Sequence, residues 1–104
     1  METHLGYLIE TYDKPDHEHV RDSLRAKHLE WLEGHVDKVI AGGALMNDDG
    51  TSVIGGLMLV DIDSREEAEA FIANDPFTAS GMFARVDIVR WRMSFLDFKR
   101  IKPK

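Results

Sequence analysis

The stretch VIGGLMLVDI, residues 53–62, decides the fold. Its length and its run of valine, isoleucine and leucine read as a β-strand bounded by turn residues. A strand with one face on a core and the other in water alternates apolar and polar side chains. This one does not. Ile54, Met58, Val60 and Ile62 are apolar on one parity, and Val53, Leu57 and Leu59 on the other. Both faces of its sheet are therefore expected to be buried.

Upstream, NDDGTS (47–52) has hairpin-turn composition, and VDKVIAGGAL (36–45) is the strand before it. Downstream, Ser64 opens a helix and Glu67 completes a capping box, with Ala68, Phe71 and Ile72 at helical spacing. Asn74–Asp75–Pro76 ends that helix, because a residue before proline avoids the α region. FARVDIVRWRM (83–93) is the last strand, with Val86 and Ile88 on one parity and Phe83, Val89 and Trp91 on the other. At the other end, Leu5–Thr11 alternates as a strand. DKPDHE (13–18) then turns into a helix reaching about Gly34, with Pro15 near its start and Asp16 as its N-cap.

The order β-α-β-β-α-β implies an α+β, ferredoxin-like subunit: a four-stranded antiparallel sheet with two helices on one face. No element remains to cover the second face except another copy of the chain, so a homodimer packed sheet to sheet is expected. The tail residues Phe95, Leu96 and Phe98 then lie on the partner or close the edge of their own subunit.

The totals agree. The 104 residues suit one domain, 1–104, with a core over about 5–93 and a C-terminal tail, 94–104. Composition is that of a globular chain, 43% hydrophobic and 31% charged. The absence of cysteine excludes disulfides, thiolate metal sites and a cysteine nucleophile. The N-terminus lacks signal-peptide character, and no apolar run is long enough for a bilayer, so a cytoplasmic protein without membrane contact is expected. A net charge of −6 argues against nucleic acid as a partner. The basic end, KRIKPK (99–104), has no interleaved aromatic platform and reads as a solvated terminus.

One residue on the first helix is out of place. In LRAKHLEWLEGH (24–35), His28 stands where a leucine is expected. At roughly 100° per residue, Val20, Leu24, Trp31 and Leu32 share an arc about 120° wide, and His28 lies inside it. A buried imidazole without a hydrogen-bond partner costs about 1–3 kcal/mol, so His28 is expected to have a partner, a ligand or a wet pocket. Asp75 is the candidate partner, because neighbouring helices on one sheet face bring the two within reach. A carboxylate that fixes an imidazole tautomer makes it a better general base. A metal site is not expected. His17 and His19 lie on different faces, and His28 and His35 are two turns apart, roughly 10 Å. His4 stands alone near the N-terminus. The pairs Gly42–Gly43 and Gly55–Gly56 match no nucleotide fingerprint. Glycine within strands marks a bulge or a close approach, so either a site floor or a bulged dimer contact fits them.

The motifs together resemble the YciI-like (YCII-related) family from about Tyr7 to Trp91. They are R-x-x-H-L (Arg25 to Leu29), Ala41–Gly42 before the hairpin, D-S-x-E-E-A (Asp63 to Ala68), and D-P-F with a following glycine (Asp75, Pro76, Phe77, Gly81). The resemblance implies a dimeric α+β barrel and a His–Asp active site, carried here by His28 and Asp75. It also brings a relative that is a dehydrochlorinase of a chlorinated hydroxyhydroquinone. Two positions depart from the family pattern: Gly43 replaces a frequent proline and Gly56 a frequent serine. The expected function is a cofactor-independent small-molecule enzyme. His28 is its general acid or base, Asp75 orients His28, and Arg25, Gly42 and Gly56 contact the substrate. Elimination or proton abstraction is the expected chemistry. The alternatives are a non-catalytic small-ligand-binding or accessory dimer domain, and a structural dimer in which the pair is simply buried.

Overall fold

The computed structural model describes residues 5–102; His4 and the last two residues of the basic tail lie outside them. The sheet strands are β1 (Leu5–Asp13), β2 (Val39–Met46), β3 (Val53–Val60) and β4 (Phe83–Arg92), and the helices α1 (Glu18–Glu33), α2 (Arg65–Ala73) and α3 (Pro76–Ala79). A single 3-10 turn, Val36–Lys38, precedes β2. The sheet order is β2-β3-β1-β4, every neighbouring pair antiparallel. This is the expected ferredoxin-like α+β subunit, extended by a small hairpin of β5 (Phe95–Leu96) and β6 (Lys99–Arg100). No helix among the described residues is long and apolar enough to cross a membrane.

One parity of the sheet builds the core. Tyr7, Ile9, Met58 and Val60 pack with Ile62 and with Ala68, Phe71 and Ile72 of α2. Ser64 caps α2 as its sequence indicated, accepting a hydrogen bond from the Glu67 backbone N–H. The opposite parity presents Leu8, Leu57, Leu59, Val89 and Trp91, none of them fully buried in the subunit, and Val89 is half exposed. The chain has thus left an apolar sheet face without a cover of its own.

The two long helices are seated differently. Burial holds α2 down, whereas no residue of α1 is fully buried. The reason lies beneath α1: Gly42, Ala44 and Gly56 occupy sheet positions where a packed core would carry larger side chains. The start of α1 also differs from expectation. Asp16 lies in the left-handed region, φ +61°, which aspartate tolerates, and so sits outside the helix. His17 takes the cap position without a side-chain cap bond.

Candidate active site

Between α1 and the β2–β3 half of the sheet lies a cavity of about 250 Å³. The expected stripe of α1 splits along its length. Val20, Leu24 and Trp31 occupy one edge of the arc, and Trp31 and Leu32 pack against the core. The other edge roofs the cavity with Arg21, Arg25, His28, Leu29 and Leu32. His28 stands at the join, its side chain about one-fifth exposed, 19%. The helix carries a histidine there because the space beneath is open and polar groups line it.

Asp75 is 1% exposed and comes from the segment between α2 and α3. Its orientation follows from the local sequence Asp-Pro-Phe. Aspartate is a good N-cap, and proline suits the first helical position, where no N–H is needed. Asp75 Oδ1 accepts a hydrogen bond from the Phe77 backbone N–H at 3.0 Å. The same oxygen lies 2.9 Å from His28 Nδ1. An oxygen already accepting from a backbone N–H takes its second hydrogen from the imidazole, so Nδ1 carries the proton. In the neutral ring this leaves Nε2 as the nitrogen with the lone pair. Two donors compensate for the burial of the carboxylate. The segment expected to stop a helix and to supply the partner of His28 does both, and it also starts a short helix of its own.

A second feature steadies the imidazole. The Phe77 ring stacks on His28, centroids 4.1 Å apart and planes inclined by 16°. The guanidinium of Arg21 lies 4.7 Å from the centroid of the same ring. Arg21 is itself held by Asp13 through two hydrogen bonds, Nε to Oδ2 at 2.7 Å and Nη2 to Oδ1 at 2.9 Å. A bidentate pair of this kind fixes orientation as well as charge. The row runs Asp13, Arg21, Phe77, His28, Asp75, and its first three members were not among the expected site residues. A signal existed: Arg21, Arg25 and His28 follow one another at intervals of four and three residues, which places them on one helix face.

The remaining expected residues line the same cavity. Arg25 is exposed and, among the described residues, has no ion-pair partner. Gly42 and Gly56 form part of the floor, with Gly43 and Gly55. The glycines differ in what they permit. A Cβ on Gly55 would fall 1.9 Å from the Thr11 carbonyl oxygen, so the two backbones approach too closely for any side chain. A Cβ on Gly56 would meet Thr11 Oγ1 at 3.2 Å, and one on Gly42 would make ordinary contact with Met58 Cγ at 3.5 Å. Thr11 is buried and lines the cavity beside them. His17 and His35 stay apart from this site: His35 Nδ1 donates to the Trp31 carbonyl, and His17 Nδ1 to that of Pro15.

The YCII-related domain family matches residues 5–92. The structure is similar to 5-chloro-2-hydroxyhydroquinone dehydrochlorinase (TftG) from Burkholderia phenoliruptrix AC1100, solved in complex with 2,5-dihydroxybenzoquinone. Identity is 33%, coverage 85% of this chain and 93% of that chain, and the TM-score 0.77. A dimeric ferredoxin-like protein of unknown function from Bacteroides fragilis NCTC 9343 is similar at 15% identity and a TM-score of 0.51, over 89% of this chain and 100% of that chain. This second likeness is one of fold alone. No curated protein sequence matches. With a match spanning β1 to β4 and carrying both His28 and Asp75, the chain belongs to the YCII-related domain family.

Proposed function

We propose that this protein is a small-molecule enzyme in which His28 and Asp75 form a general acid–base pair. The observation that carries the reading is the 2.9 Å contact between His28 Nδ1 and a buried Asp75 oxygen at the wall of a cavity. Asp75 holds the tautomer, and Nε2 takes a proton from the bound compound. In an elimination, the electron pair released by that proton moves through the substrate and breaks the bond to the leaving group. The imidazolium then returns its proton to water. The likeness to a dehydrochlorinase supports chloride as that leaving group, with HCl lost overall. No cofactor enters this chemistry.

The cavity also restricts the substrate. Asp13 holds Arg21, while Arg25 stands at the cavity wall with no ion-pair partner among the described residues. An ionised phenol or enol oxygen would find a direct partner in its guanidinium. The glycine floor opposite Phe77 and Phe83 favours a flat ring, with Gly42 and Gly56 beneath it. Two copies joined through the open apolar sheet face complete the assembly, because a face bearing Leu8, Leu57, Leu59 and Val89 is stable only when covered.

The test uses 5-chloro-2-hydroxyhydroquinone with chloride release as the readout, and 2,5-dihydroxybenzoquinone as a binding probe. Wild type is expected to release chloride. His28→Ala is expected to lose about 10²–10⁴ of the rate, the usual worth of a general base, while Arg25→Gln weakens binding of the probe. A wild-type chain that binds the probe and returns the chlorinated compound unchanged is a binder. Equal rates for wild type and His28→Ala would refute the assignment of the base.

A further inference from the structure

The C-terminal hairpin holds an unusual residue at its tip. Leu96 pairs with Lys99, so the turn consists of Asp97 and Phe98 alone. Both lie in the left-handed region, φ +55° and +64°. A two-residue turn with positive φ at both positions prefers Asn-Gly or Asp-Gly, because a side chain with a bulky Cβ substituent is strained there. Phe98 carries that strain and is 105% exposed, and Phe95 beside it is 69% exposed. Within the subunit nothing offsets either the strained backbone or the wetted rings. The hairpin does not close the edge of its own subunit, one of the two roles open to it in the sequence. It extends the molecule instead. The radius of gyration is 14.5 Å and the longest dimension 46 Å, whereas a compact domain of this length has a radius of about 13 Å.

We propose that this hairpin is an arm that clasps a second copy of the chain, with Phe98 as its anchor. The inference rests on the face-to-face dimer of the preceding section and adds a contact outside that face. Three observations favour a second copy as the occupant. The hairpin follows directly from β4, whose Val89 and Trp91 belong to the open face, so arm and face form one continuous apolar surface. The arm is basic, with Lys99, Arg100 and Lys102. The open face holds two carboxylates opposite each other, Glu10 and Asp87; Arg85 pairs with Asp87 at 3.0 Å, which leaves Glu10 without an ion-pair partner among the described residues and the cluster with one net negative charge. Opposite charge on the two surfaces fits one copy against the other. The chain as a whole bears a net charge of −6, which disfavours an anionic lipid surface as the occupant.

The experiment compares the full-length wild type with Phe98→Asp and Phe95→Ser by sedimentation velocity across a dilution series. Far-UV circular dichroism reports the fold of each subunit. Aspartate suits a left-handed position, and Phe98 has no contact to lose in the subunit, so the variant folds. The dimer dissociation constant is expected to rise about tenfold or more in Phe98→Asp, as for loss of an aromatic anchor, with an unchanged dichroism spectrum. The dimer should also weaken as salt is raised. A constant within about twofold of wild type in both variants overturns the arm while leaving the face-to-face dimer standing. A monomeric wild type at micromolar concentration overturns both. A third result assigns the arm to a membrane and overturns the proposal: wild type binds phosphatidylserine-containing vesicles, Phe98→Asp does not, and the dimer constant is unchanged.

Discussion

Replacing Asp75 separates what holds the site together from what the site does. Asp75→Ala removes two interactions at once. Loss of the N-cap bond to Phe77 costs about 1 kcal/mol. Loss of a hydrogen bond from a charged group costs about 1.5–3 kcal/mol, but His28 is 19% exposed and water can take up part of its Nδ1–H. We discount that contribution to about 1–2 kcal/mol, for a total of about 2–3 kcal/mol. Asp75→Asn keeps a capping oxygen, since asparagine caps as well as aspartate, and that oxygen still faces Nδ1. Its expected cost is about 1 kcal/mol. The two variants should therefore differ by about 1–2 kcal/mol, or roughly 4–16 °C in Tm for a domain of this length. Urea unfolding at fixed protein concentration measures this, with the fluorescence of Trp31, whose ring lies 6.2 Å from His28, as a local probe. Equal stability of the two variants would refute the double role of Asp75. A stabilised Asp75→Asn would mean that the carboxylate opposes folding and is retained for chemistry.

The glycine floor predicts opposite outcomes at two positions: Gly55→Ala should lose about 3 kcal/mol or more through its backbone clash, while Gly42→Ala should change stability by no more than about 1 kcal/mol and weaken binding of 2,5-dihydroxybenzoquinone. Thermal unfolding and a binding titration read the two effects. Phe77→Leu keeps the backbone donor to Asp75 but loses the stacked ring, so the His28 ring resonances should broaden or shift in NMR spectra while the fold persists. Asp49 in the β2–β3 loop accepts from the Thr51 hydroxyl at 2.6 Å and from its backbone N–H, and these bonds, the hydroxyl first, hold its carboxyl below the ordinary value of 3.8. A folded-state value below the unfolded one stabilises above the ordinary pKa and ceases to as pH falls through the lowered value. Thr51→Val should therefore move the Asp49 titration upward in carbon NMR.

Much of the fold was legible because it rests on local rules. The strand parity of residues 53–62 distinguished a core face from a second apolar face, and Ser64 with Glu67 marked the start of α2 where it occurs. His28 was conspicuous for the same reason: it broke a periodicity that its neighbours kept. What escaped notice depends on contacts between segments. Asp13 meets Arg21 only once β1 and α1 fold against each other, and Phe77 reaches His28 only because a four-residue helix, too short for any periodic signal, turns its ring inward. Arg21 looked like a solvent-facing charge because the arc of α1 was measured against a packed core, whereas the structure has a cavity there. The C-terminal hairpin escaped because its turn, Asp-Phe, lacks the glycine that usually announces one.

A cavity made by omission has an evolutionary consequence. The space beneath α1 exists because Gly42 and Gly56 withhold side chains, so its outline is drawn by groups that are not there. Any glycine codon becomes one for alanine by a single base change, and those ending in a pyrimidine become serine codons as readily. At Gly42 the room for a methyl group already exists, and at Gly56 only the Thr11 hydroxyl must yield. Each such step would reshape the chamber or place a hydroxyl in it while the sheet, the caps and the His28–Asp75 pair stay as they are. Gly55, pressed against the Thr11 backbone, is the fixed point among them. A scaffold of this kind can take up new ligands by small, separable increments, with its His28–Asp75 pair inherited intact.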